Sequence, residues 1–201
     1  MQRHRLIGTV LCAGMLAVWG ADAGADEFSA RIDGFQELGA LNNQTGAILS
    51  DGTGKLRLNL DRKSKTAAYV LTYNNVGTTP PLTGTVTVAH IHFGKNHDSG
   101  GVLVFFCSTA ALPAAFTGPT PPACTDHDGT FKGTFTAANV QAIPTQNVVA
   151  MDFDALADAI ESNTAYANIH TTALPAGEIR GQIRRGDRDE HHDNHDNHEH
   201  K

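Results

Sequence analysis

The sequence predicts an all-β fold: a Greek-key β-sandwich or barrel of about seven or eight strands with two short helices. Three observations carry this. Apolar residues recur with period two in several separate segments, turn residues punctuate them frequently, and sustained helical periodicity is confined to one stretch near residue 155. The 201 residues hold 20 Gly and 8 Pro, with only 18% charged side chains, which excludes coiled coils and long bundles. The formal net charge of −6 opposes nucleic-acid binding.

The elements follow in order. Arg3 and Arg5 precede an apolar run from Leu6 to Trp19, and Ala21-Asp22-Ala23 and Ala23-Gly24-Ala25 offer small-x-small cleavage sites. Residues 1–25 are therefore read as a signal peptide, which places the mature protein in the periplasm or outside the cell, with no membrane insertion once it is removed. Residues 26–184 form the β domain. Its first strand begins at Phe28, and Lys55-Leu56-Arg57-Leu58-Asn59-Leu60 alternates strictly, as a half-buried strand does. Lys65–Val76 and Thr83–Phe93 are rich in β-branched and aromatic residues, and Val102–Cys107 is apolar almost throughout, as a central strand would be. Thr130–Phe135, Ala165–Thr171 and Glu178–Ile183 complete the set.

Of the helices, Thr136 is expected to cap a turn over residues 137–142 that ends before Pro144. The second, Asp152–Ser162, aligns Phe153, Leu156, Ala157 and Ile160 on one stripe. Both are expected to cover a barrel end or an open edge. From Arg184 onward no aliphatic or aromatic side chain occurs, so residues 185–201 are read as a disordered His/Asp-rich tail. Asn43-Gln44-Thr45 is a glycosylation sequon.

Export gives the cysteines their meaning. Cys12 leaves with the leader, and Cys107 and Cys124 remain as an even pair in an oxidising compartment. A disulfide between them would be a structural staple. The alternative is two buried free thiols.

Candidate chemistry lies with histidine. In Ala89-His90-Ile91-His92-Phe93, alternation puts His90 and His92 on one face, about 6–7 Å apart along the strand. That pair can grip one copper or zinc ion; the bland alternative is two exposed imidazoles bonded to a loop. His170, in Tyr166-Ala167-Asn168-Ile169-His170, has the same outward polarity. Glu178 and Arg180 on the last strand are candidates to orient a ligand imidazole, or else to form a buried network that closes the sheet. His97 and His127 lie in polar loops as possible accessory ligands. In the tail, His191, His192, His195, His198 and His200 are interleaved with carboxylates, a weak chelating array or simply a solvated acidic segment. No Gly-x-Ser-x-Gly elbow, phosphate loop or His-Glu-x-x-His helix occurs, so the chain is read as a binder rather than an enzyme.

Three segments in order, Phe28–Glu37, Ala89–Gly94 and Ile169–Gln182, resemble the hallmark segments of the CHRD domain, over residues 27–184. The resemblance implies an extracellular all-β module with no general enzymatic activity, and in chordin such repeats belong to a binder of secreted growth factors. A more distant likeness is to copper/zinc superoxide dismutase, through a strand bearing His-x-His before Gly and a later strand bearing a further His. By that analogy His90, His92 and His170 would ligate copper. The resulting expectation is an exported protein that binds copper or zinc through these histidines, with the tail as accessory chelator. The alternatives are a metal-free module for an extracellular or periplasmic protein or matrix partner, and a copper oxidoreductase of dismutase type.

Overall fold

The computed structural model describes residues 24–38 and 46–186. The leader up to residue 23, the sequon and all five tail histidines lie outside those residues. Antiparallel strands dominate: β1 (Asp26–Asp33), β2 (Thr53–Asp61), β3 (Thr66–Asn74), β4 (Val86–Phe93), β5 (Gly101–Ser108), β6 (Gly129–Phe135), β7 (Ala165–Thr171), β8 (Ile179–Gln182) and β9 (Arg184–Arg185). Among the described residues, one α-helix, α1 (Phe153–Glu161), and three short 3-10 turns accompany them.

Hydrogen bonding links the strands in the order β5-β4-β7-β8-β1-β2-β3-β6, with β9 also pairing to β1. β7 returns by a long connection to lie beside β4 while β5 follows on its other side, a Greek-key arrangement. The path nearly closes on itself. Its two terminal strands are joined by side chains: Phe106 of β5 lies 4.9 Å from the Tyr69 ring and 5.3 Å from the Phe135 ring. A disulfide between Cys107 and Cys124, with Cα atoms 5.0 Å apart, staples β5 to the segment leading into β6. The expected staple is therefore present.

The core follows from the alternation. Leu56, Leu58 and Leu60 of β2 face inward with Phe28, Ala30 and Ile32 of β1, and Ala89 and Ile91 of β4 meet Ala167 and Ile169 of β7. The helix buries Phe153, Leu156, Ala157 and Ile160 as its stripe requires, and Asp152 caps it by accepting from the Ala155 N–H at 3.1 Å. Arg62 holds Glu161 at 2.8 Å and also Asp158, while Lys65 reaches Asp154 at 2.9 Å, so the helix is tied to the β2–β3 turn at one end of the barrel.

Three expectations are corrected. Residues 137–142 hold only a 3-10 turn over Ala137–Asn139; the side chain of Asn139 reaches back to accept from the Thr136 N–H, so no α-helix propagates. β4 begins at Val86, because residues 83–85 instead accept from Thr172 and Ala173 in a crossing loop. The sheet also runs one residue past the expected domain end at residue 184. Arg184 and Arg185 pair with Ser29 and Phe28, which needs backbone groups and no apolar side chain, and Arg185 binds Asp26 at 2.6 Å.

Candidate metal centre

β4 and β7 pair in register with Val88 opposite His170, His90 opposite Asn168 and His92 opposite Tyr166. Paired residues share a face, so this register alone brings His90, His92 and His170 onto one patch. On its other side β4 meets β5 with two register shifts, between Ala89 and His90 and between Ile91 and His92. Phe106 and Leu103 are the extra residues, and bulges of this kind bend the sheet locally.

One candidate nitrogen from each of the three imidazoles lies within 4.8 Å of the other two. The rings of His90 and His92 are 4.3 Å apart and nearly perpendicular, and His90 and His170 are 4.6 Å apart. Metal–nitrogen bonds of about 2.0–2.1 Å place ligand nitrogens at most about 4 Å apart, so a contraction of about 1 Å or less completes the set.

Hydrogen bonds determine which nitrogen is available. His92 donates from Nδ1 to the Gly100 carbonyl at 2.8 Å, and His170 donates from Nδ1 to the Pro175 carbonyl at 3.0 Å. A carbonyl can only accept, so both protons sit on Nδ1 and both Nε2 lone pairs are free. Those Nε2 atoms and Nδ1 of His90 are buried without a hydrogen-bond partner among the described residues. Buried imidazole nitrogens are ordinarily paired, which makes these three informative.

All three rings are held neutral. Burial, then the neighbouring His92 and His170, pushes His90 well below the ordinary imidazole range. Burial lowers His92 to about 4 and lowers His170 as well. A neutral imidazole is the form that binds a metal.

The face expected to be open to water is in fact covered, and every residue of β7 is buried. The 94–101 loop folds over it. Arg180 donates to the Lys95 and Asp98 carbonyls at 3.1 and 2.9 Å, Gln182 donates to Gly94 at 3.1 Å, and the Gly100 N–H donates to the Tyr166 hydroxyl at 3.3 Å. Gln146 clamps the mouth of the loop, donating to the Phe93 carbonyl at 2.8 Å and accepting from the Gly101 N–H at 2.7 Å. Phe105 stands edge-on to His90 at 5.5 Å, with Phe116 beside it at 5.6 Å.

The remaining candidates separate. Arg180 supports the site by stacking on Tyr166 and holding the covering loop. Glu178 does not join it. Its buried carboxylate accepts from Ser50, the Gly77 N–H, Thr83 and Thr171 and anchors the 76–83 loop. His97 is exposed, and His127 donates from Nδ1 to the Val76 carbonyl at 2.8 Å; neither joins the cluster. Tyr166 and Gln146 were not singled out from sequence. Tyr166 was accessible to that reasoning, since it alternates with Asn168 and His170 on one strand face.

A family model for the CHRD domain matches residues 28–183. No curated protein and no solved structure shows a significant match. The matched span contains β2 to β8 and all of β1 but its first two residues, leaves out β9, and contains the whole histidine cluster. The chain belongs to the CHRD domain family.

Proposed function

We propose that this CHRD-domain protein is exported and binds one transition-metal ion, copper or zinc, through His90, His92 and His170. The observation that carries this reading is the convergence of three imidazoles, each of which also holds a buried nitrogen without a hydrogen-bond partner among the described residues. Three borderline nitrogen donors suit copper and zinc, and leaving them unpaired without a ligand costs free energy. The chain's own residues prepare the set. Gly100 and Pro175 hold two tautomers, burial keeps the rings unprotonated, and the 94–101 loop with Phe105 excludes water. Export is supported by the leader pattern and by a disulfide of the kind that persists in oxidising compartments. The tail histidines, with their interleaved carboxylates, serve as a weaker accessory chelator.

Elemental analysis after loading and dialysis tests the site. One ion per chain is expected in wild type and in a chain with all five tail histidines changed to Asn. The paired change His90→Ala with His170→Ala is expected to abolish it. Unchanged stoichiometry in that pair would overturn the assignment.

A further inference from the structure

Outward-facing residues on the half of the barrel formed by β1, β2, β3 and β6 form an unusual charge pattern. Ser29 pairs with both Arg184 and Arg57, Arg57 pairs with Val70, and Val70 pairs with Lys132. Paired residues share a face, so Arg184, Arg57 and Lys132 form a row perpendicular to the strands. They occupy every second strand, at intervals of about 10 Å. In the adjacent row, Arg31 stands directly opposite Lys55.

All five side chains are exposed, and none makes a salt bridge among the described residues. Like charges directly opposite each other destabilise a sheet. Here they are concentrated on one face of a chain whose formal net charge is −6. An open trough of about 1160 Å³ runs over this surface, lined by Lys55, Arg57 and Lys132, with Glu27 the one carboxylate at its edge. Neutral hydrogen-bonding groups flank the cation row: Asn59 and Thr134 on one side and Thr72 on the other line the same trough, and Thr72 bonds Thr130 at 3.2 Å.

We infer that this face binds a linear acidic polysaccharide. A row of evenly spaced cations in an open trough suits an extended polyanion better than a small enclosed anion. Hydroxyl and amide groups flanking the cations match a ligand that carries hydroxyls as well as carboxylates or sulfates. The inference is independent of the histidine site, which lies on the outer face of β4 and β7.

Binding of labelled polygalacturonate and dextran sulfate to the full chain, with neutral dextran as control, tests it. Both acidic polymers are expected to bind and dextran is not, with affinity falling linearly on a logarithmic salt axis. Arg57→Glu with Lys132→Glu is expected to weaken binding at least about tenfold and to flatten the salt slope. Arg57→Gln with Lys132→Gln should act in the same direction with the fold intact by circular dichroism. Lys63→Glu, an equal charge change off this face, should leave binding unaltered. Absence of saturable binding at low salt overturns the proposal, and so does an equal loss in Lys63→Glu. Tighter binding of single-stranded DNA than of either polymer would assign the face to nucleic acid instead.

Discussion

The guanidinium carbon of Arg180 lies 3.4 Å from the centre of the Tyr166 ring, and that ring stacks on His92 at 4.6 Å with only 9° between planes. A cation, an aromatic ring and a candidate ligand thus form one column across β8, β7 and β4. The column orients His92 on one side while Gly100 holds it on the other.

Removing the column's base should loosen the ligand without dissolving the fold. Arg180→Met deletes the cation and frees the Lys95 and Asp98 carbonyls. Metal affinity, read by competition with a chromophoric chelator, is expected to fall about 10- to 100-fold. Tyr166→Phe keeps the stack and loses only the Gly100 hydrogen bond, so its loss should be smaller.

The neutral histidines make the metal-free protein sensitive to acid. In the unfolded chain each imidazole titrates near its ordinary value of about 6.5, whereas in the folded state His92 titrates at about 4 and the other two are also lowered. Between those values the unfolded state binds more protons, so stability falls as pH falls through that window, by about 1.4 kcal/mol per unit for each histidine. Urea unfolding of metal-free protein at a series of pH values checks this, and His92→Gln should make the dependence shallower.

Glu178 should prove structural. Glu178→Ala leaves its four donors without an acceptor in a fully buried position, for an expected cost of about 3 kcal/mol or more. The remaining folded protein should still bind one metal ion per chain. Denaturant midpoints and elemental analysis together test both halves.

Reduction of the Cys107–Cys124 bond, or its replacement by two serines, should lower stability by about 3 kcal/mol. The bond closes a loop with a sequence separation of 17. Thermal unfolding with and without reductant measures this.

Much of the strand plan was legible because period-two alternation is a local signal. Leu56, Leu58 and Leu60 reveal their face without any partner. The shared polarity of His90, His92 and His170 was readable for the same reason. Their burial was not, because it depends on the 94–101 loop folding back under Arg180, Gln146 and Gln182, contacts that span dozens of residues. Nor could alternation place Glu178: it immediately precedes β8, where the chain has not entered the pleat, so it points to a different set of partners than Arg180. Arg184 and Arg185 join the sheet through backbone groups, which hydrophobicity does not report.

The side-chain closure between β5 and β6 has a consequence for how the molecule avoids self-association. Both strands end the hydrogen-bonded path, and strand ends of this kind invite pairing with another chain; on β5, Leu103 and Ser108 are already bonded to Gln141 and Pro122. With the sulfur bridge formed, the two borders shield one another. Before oxidation only ring packing and a few main-chain bonds hold them together, and newly made protein in its dithiol form would be the species more prone to fibrous or disordered clumping. The bridge then acts as a safeguard during maturation as well as a brace afterwards.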